Sequence, residues 1–236
     1  ADGSLAIPAK YTQVEPFSEG LAAVRTSPYS GWQYINTKGE EVITGPFDQA
    51  SAFEEGIALV QYKQQSLVID RAGFPLKIND GIPTFFSEGL LGVKRPALKK
   101  NAASFRPSFY ADASGNNVFG QEYAEITPFQ LGVAKVRPLS EENQARRPLG
   151  AINKRGVMVV PPKYRMLHIQ PDGNIIINPQ RFYGLANKQG EILLPPQFDR
   201  IDLMKEEGVY RVERGEKIGY YLMRGAEAEE VWPLRN

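Results

Sequence analysis

Short apolar runs alternate with polar, glycine-bearing turns along the whole chain, and the alternation is periodic. In the first period, Leu21-Ala22-Ala23-Val24 predicts one strand, Trp32-Gln33-Tyr34-Ile35 a second and Glu41-Val42-Ile43 a third. Pro46-Phe47 is read as a break, and Phe47-Asp48-Gln49-Ala50 as a fourth short extended piece. The second and third strands are joined by Asn36-Thr37-Lys38-Gly39. The same Asx-x-x-Gly turn recurs as Asp70-Arg71-Ala72-Gly73, Asp112-Ala113-Ser114-Gly115, Asn153-Lys154-Arg155-Gly156 and Asn187-Lys188-Gln189-Gly190. A sixth, Leu222-Met223-Arg224-Gly225, keeps only the glycine. An Asx side chain accepts hydrogen bonds from backbone N–H groups ahead of it, and glycine tolerates the positive φ that ends a type I turn with a bulge.

Two landmarks share the period. The turn glycines 3, 39, 73, 115, 156, 190 and 225 lie 34 to 42 residues apart, and the strand-opening glycines 20, 56, 89, 132, 173 and 208 lie 33 to 43 apart. A carboxylate precedes the opening glycine in five of six copies: Glu19, Glu55, Glu88, Asp172 and Glu207. About 35 residues holding four short strands is the size of a propeller blade, too small to bury its own apolar face. The expected fold is all-β: six tandem four-stranded units, propeller-like, with an open β-solenoid or twisted array as the alternative. One domain over 1–236 is expected, in units 4–44, 45–78, 79–120, 121–161, 162–195 and 196–236. Leu5-Ala6-Ile7-Pro8 resembles Ile192-Leu193-Leu194-Pro195 and Glu229-Glu230-Val231-Trp232-Pro233, so one strand type occurs seven times.

The string Glu-Gly-Leu-Ala-x-Val, then Trp-x-Tyr-Ile-Asn-x-x-Gly, then Val-Ile and an aromatic-Asp resembles the WG (KWG) repeat. Trp32 keeps the tryptophan with Gln33 in place of glycine; Leu149-Gly150, Tyr183-Gly184 and Ile218-Gly219 keep the glycine alone. Ser66-Leu67 and Ser108-Phe109 keep neither. The resemblance covers nearly the whole chain and implies a bacterial-type, non-catalytic β-repeat protein. It speaks to fold more than to function, because the family has no single settled activity.

Composition narrows the partners. With 28 basic and 27 acidic residues the chain lacks the basic excess of a nucleic-acid binder. No apolar run approaches the roughly 18 residues of a membrane span. The absence of cysteine excludes disulfides and cysteine-ligated metal. The start, Ala1-Asp2-Gly3, has neither an initiator methionine nor an apolar signal region, and is read as a removed signal peptide or a trimmed chain. Together with the resemblance, this sets the expected location at the periplasm or outside the cell.

No catalytic constellation emerges, so the chain is expected not to be an enzyme and to carry no cofactor or metal. The paired carboxylates Glu40-Glu41, Glu54-Glu55 and Glu206-Glu207 fall at turns, and His168 is the single histidine with no Asp, Glu or His cluster around it. No Gly-x-x-x-x-Gly-Lys phosphate loop or calcium loop is present. The irregular copies are more informative. The connections 94–107 and 137–148 are longer than their counterparts and occupy the same place in adjacent copies. Their basic residues Lys94, Arg95, Lys99, Lys100, Arg106, Arg137, Arg146 and Arg147 are candidate partner-binding positions, since function concentrates on such excursions. Tyr29 and Trp32 are candidate exposed aromatics. Another protein is therefore the expected partner, with an envelope polysaccharide or a purely structural spacer role as alternatives.

Overall fold

The computed structural model describes residues 7–78, 81–96, 106–139, 148–206 and 208–235, and among these there is no helix. The chain divides into two compact units, Ala1–Gln121 and Glu122–Asn236. In the first, β1 (Gln13–Val14), β2 (Leu21–Arg25), β3 (Trp32–Asn36) and β4 (Glu41–Phe47) form one antiparallel sheet in chain order. A second holds β5 (Gln49–Ala50), β6 (Ile57–Tyr62), β7 (Gln65–Asp70) and β8 (Pro75–Leu76). The third has β9 (Ile82–Ser87), β10 (Leu90–Lys94) and β11 (Ser108–Ala111), and its fourth place is reduced to a bridge between Ala111 and Asn117.

The second unit repeats the plan. Its first sheet holds β12 (Tyr123–Ile126), β13 (Val133–Pro138), β14 (Leu149–Asn153) and β15 (Met158–Tyr164). Next come β16 (Met166–Ile169), β17 (Ile175–Asn178), β18 (Tyr183–Ala186) and β19 (Ile192–Phe198). The last sheet holds β20 (Arg200–Leu203), β21 (Val209–Arg214), β22 (Lys217–Arg224) and β23 (Glu227–Arg235). Each copy is thus an antiparallel meander, the blade unit of propeller-type folds.

Stacking explains why the inner strands are apolar on both faces. In the first unit, Leu21, Ala23 and Tyr34 point towards the next sheet, where they meet Ala58, Val60 and Ile69. Ile57 and Val68, on the opposite face of that second sheet, pack with Leu91, Val93 and Phe109. In the second unit, Val133, Ala151 and Val160 meet Leu167, Ile175 and Ile177. Leu185, Leu194 and Phe198 then meet Ile201, Tyr210 and Val212. Side chains alternate between faces along a strand, so the second and fifth sheets each serve two cores, and their strands β6 and β17 read as apolar runs.

The turns have the chemistry that their sequence implies. Asn36 Oδ1 accepts the N–H groups of Lys38 (3.0 Å) and Glu40 (3.1 Å). Asp70, Asp112, Asn153 and Asn187 each accept the same two N–H groups, two and four residues ahead. Gly39 N–H donates to Asn36 O at 2.9 Å with φ +79°, closing the type I turn and bulge. At Asp112, partial burial pushes the carboxyl pKa up, but hydrogen bonds from Asn116, Ser114 and Gly115 outweigh it and leave it lowered. A lowered carboxyl contributes stability that is present above its unfolded pKa of about 3.9 and is lost as the pH falls through the folded value. Asp112→Asn keeps the acceptor, as the three natural Asn turns do, but does not titrate. Acid unfolding followed by circular dichroism should be shallower below about pH 4 in that variant; superimposable curves would show that this turn is uncoupled from acid stability.

One element departs from the sequence reading. Pro46 does not break the third strand of the meander: β4 runs through Gly45-Pro46 to Phe47, which pairs with Trp32. β15 and β19 likewise run through Pro161-Pro162 and Pro195-Pro196, and in all three the register shifts against the preceding strand. Each of these strands lies at the end of its sheet's strand order, where a missing N–H costs no ladder bond. The bulge gives the repeat's glycine its purpose. A Cβ on Gly184 would lie 2.6 Å from Leu194 O, and one on Gly150 2.8 Å from Val160 O. In the first copy, where Gln33 holds that position, the close approach is made by Gly45 against Trp32 O.

Candidate functional site

The register gives every sheet two distinct ends. Leu21 pairs with Asn36 and Val133 with Asn153, so the opening turn and the Asx turn of a copy share one end, the turn end. The connection between the second and third strands lies at the other. There Lys63-Gln64 makes a two-residue turn with φ of +49° and +64° in the second copy. The long connections of the third and fourth copies depart from this tight hairpin.

The candidate residues divide by position. Lys94 ends β10 opposite Ser108, and Arg95 N–H donates to Pro107 O at 2.8 Å, extending the ladder by one step. The Arg95 guanidinium lies 4.6 Å from the Phe109 ring centre. Arg106 is exposed where the chain returns. Arg137 Nε donates to Glu125 Oε2 at 2.6 Å, and its side chain is only 26% exposed. Lys99, Lys100, Arg146 and Arg147 lie outside the described residues. Arg95 and Arg137 are therefore stem residues, held by their own sheets.

Tyr29 occupies the same connection in the first copy and is 98% exposed. Its loop is internally fixed. Ser27 and Ser30 exchange hydrogen bonds of 3.0 Å from backbone N–H to side-chain oxygen in both directions, and Arg25 Nη1 donates to Pro28 O at 3.2 Å. Trp32 is half-buried against the first core, with the Arg25 guanidinium 5.1 Å from its ring centre. Of the two aromatics, then, only Tyr29 is presented to solvent. His168 is exposed on β16, and among the described residues no group of three or more His, Asp or Glu side chains is arranged to hold a metal ion.

The turn end carries features that the sequence did not single out. The opening turns Glu19-Gly20 and Glu55-Gly56 have positive φ at both residues, the two-residue hairpin geometry that matches strand twist. Glu19 reaches the next copy, accepting Gly56 N–H at 3.0 Å, and the Glu55 carboxylate stands against Gly89. Asp172 accepts the Tyr210 hydroxyl at 2.7 Å, and burial of that phenol, reinforced by the Asp172 contact, raises its pKa. At Glu19, Glu55 and Asp172 the carboxylate before the opening glycine is thus a clasp on the following copy. In the second unit two clefts open between successive turns. One, of about 590 Å³, includes Asp172, Asn174, Glu191 and Met223 in its walls; the other, of about 510 Å³, includes Leu131, Asn153, Lys154, Arg155 and Val159. Lys188 and Gln189 border both.

The profile of the WG containing repeat matches residues 1–27, 32–64 and 183–217. The chain carries WG repeats in these three segments. The enlarged third and fourth copies fall between the matched segments. No curated protein matches the sequence. Among solved structures, Hsv2p of Kluyveromyces lactis is similar at 9% identity over 92% of this chain and 76% of that one, with a TM-score of 0.42. AztD of Citrobacter koseri is similar at 11% identity over 94% and 74%, with a TM-score of 0.36. These likenesses are of fold alone, and nothing of those proteins' function passes to this chain.

Proposed function

We propose that this protein is a non-catalytic scaffold that binds another protein at the bacterial envelope, as an inhibitor, immunity-type or assembly factor. Its contact elements are the connections between the second and third strands, the insert end of each sheet. Tyr29 carries the reading: a fully exposed aromatic on a loop fixed by its own serines loses little entropy on docking and supplies a large contact area. The basic connections of the third and fourth copies, with Lys94 and Arg106 at one base, supply charge on the same type of connection. A polysaccharide reading takes second place. Sugar binding favours several aromatic faces in one groove, and the Arg25 guanidinium stacks on Trp32.

The test is a photo-reactive phenylalanine at position 29, expressed in cells and irradiated. A discrete protein adduct is expected at position 29 and not at the exposed Val14 control, and it should weaken when 97–105 and 140–147 are replaced by short turns. Equal labelling at both positions would remove these connections as the contact elements. Binding of a glycan on an array, lost in Tyr29→Ala, would put the polysaccharide reading first.

A further inference from the structure

The clasp is missing from one seam. Where the other copies place Glu or Asp before the opening glycine, the fourth copy has Leu131, with φ +53° and 51% exposure. Its side chain approaches the next opening glycine, Gly173, as does that of Lys188; a Cβ on Gly173 would lie 4.0 Å from each. The cleft at this seam therefore has no carboxylate in its lining, while Lys154, Arg155 and Lys188 all border it. Among the described residues none of these three side chains makes a hydrogen bond, ion pair or ring contact. Lys154 and Arg155 are the two central residues of one Asx turn, and Lys188 is a central residue of the next, so the stacking of copies gathers them at one opening. Leu131, Val133 and Val159 supply an apolar wall.

We infer that this cleft is a second binding site, which takes a carboxylate of an acidic peptide together with an adjoining apolar side chain. It lies at the turn end and stands independently of the insert-end reading. Three unpaired cations around one opening favour an anion, and the loss of the clasp carboxylate removes the group that would compete for them. The apolar wall favours a peptide, in which an acidic residue can be followed by a large apolar one. A continuous polyanion fits less well: the neighbouring cleft across Lys188 carries Asp172 and Glu191, which would repel a phosphate or sulfate chain crossing both.

The experiment is fluorescence anisotropy with labelled Gly-Leu-Asp-Phe-Glu-Gly peptide on the full chain, alongside its Asn/Gln counterpart, a version with Gly for Leu and Phe, and a heparin fragment. The acidic, apolar peptide should bind with a dissociation constant of about 100 µM or tighter, weakening as salt is raised. Leu131→Glu restores the carboxylate of the other copies at a backbone conformation where Glu19, Glu55 and Glu88 already sit, so the fold should hold. That change, and independently Arg155→Glu, should weaken binding about tenfold or more, the effect of roughly 1.4 kcal/mol. Absence of binding at about 2 mM peptide, about 20 times the expected constant, overturns the site. So does equal affinity for the Asn/Gln peptide, or affinity unchanged in both variants. A heparin fragment that binds more tightly than the peptide and is lost in Arg155→Glu would reassign the cleft to polyanions.

Discussion

Gly190→Ala should be among the most damaging single substitutions in the second unit, although it adds one methyl group. Gly190 closes the Asx turn of the fifth copy at φ +90°, donating its N–H to Asn187 O at 2.9 Å. A Cβ there would overlap the carbonyl oxygen of Val159 on β15, which is backbone and cannot rotate aside. Two costs therefore combine. The left-handed conformation alone costs an alanine about 1–2 kcal/mol, and displacing one copy's turn from the preceding copy's strand disturbs the packing of Val160 against Leu167 and Ile175. A total of about 3–5 kcal/mol is expected, in the range that marks a specific steric or packing mechanism. At 2–4 °C per kcal/mol for a chain of this size, the melting temperature should fall by roughly 10 °C. Gly225 is the control: it has φ +64° and open space where a Cβ would stand, so Gly225→Ala should cost only about 1–2 kcal/mol. Asn separates the two causes, because it tolerates positive φ and still carries a Cβ. Asn should recover most of the loss at position 225 and little at position 190. Equal melting temperatures for Gly190→Ala and Gly225→Ala would refute the steric account.

That contrast shows what the sequence can and cannot disclose. The turn glycines are legible from their spacing, because the Asx turn with its bulge is a local structure whose residues are contiguous. The five Asx turns accordingly form with the same two hydrogen bonds. Which glycine is sterically indispensable depends on a strand some thirty residues away, and no local pattern encodes that. The same limit applies to Pro46, where the sequence alone suggests a strand end. Proline forbids only a ladder bond on its own N–H, and an edge strand has one side without a partner. At the candidate sites, Tyr29 was legible as an aromatic in a connection, but its exposure had to be observed. The cationic cleft had a faint trace in the sequence, a carboxylate in five copies out of six. Its meaning required the finding that the carboxylate clasps the next copy, so that its replacement by Leu131 leaves a seam open to an anion.

Tyr34 offers the corresponding test in the first unit, where burial and hydrogen bonding can be separated within one side chain. Tyr34 is fully buried between the first two sheets, edge-on to Phe53 at 4.9 Å and to Phe47 at 6.2 Å between ring centres. Its hydroxyl donates to Ser51 O at 2.7 Å, so the ring fills the core while the polar end ties β3 to the segment entering the next copy. Tyr34→Ala should cost about 3–5 kcal/mol, as large-to-small changes of buried aromatics do, lowering the melting temperature by roughly 10 °C. Tyr34→Phe keeps the ring contacts and leaves the Ser51 carbonyl without this donor, at about 1–2 kcal/mol and a few degrees. The pH arm supplies an independent sign. Burial raises the Tyr34 pKa well above that of a free phenol. A raised pKa contributes stability that is complete below the unfolded value near 10 and is lost as the pH rises towards the folded one. The native protein should therefore weaken above about pH 10, and Tyr34→Phe, with no proton to lose there, should weaken less steeply. If Tyr34→Ala melted within about 3 °C of the native protein, the inter-sheet core would not be what holds the first two copies together.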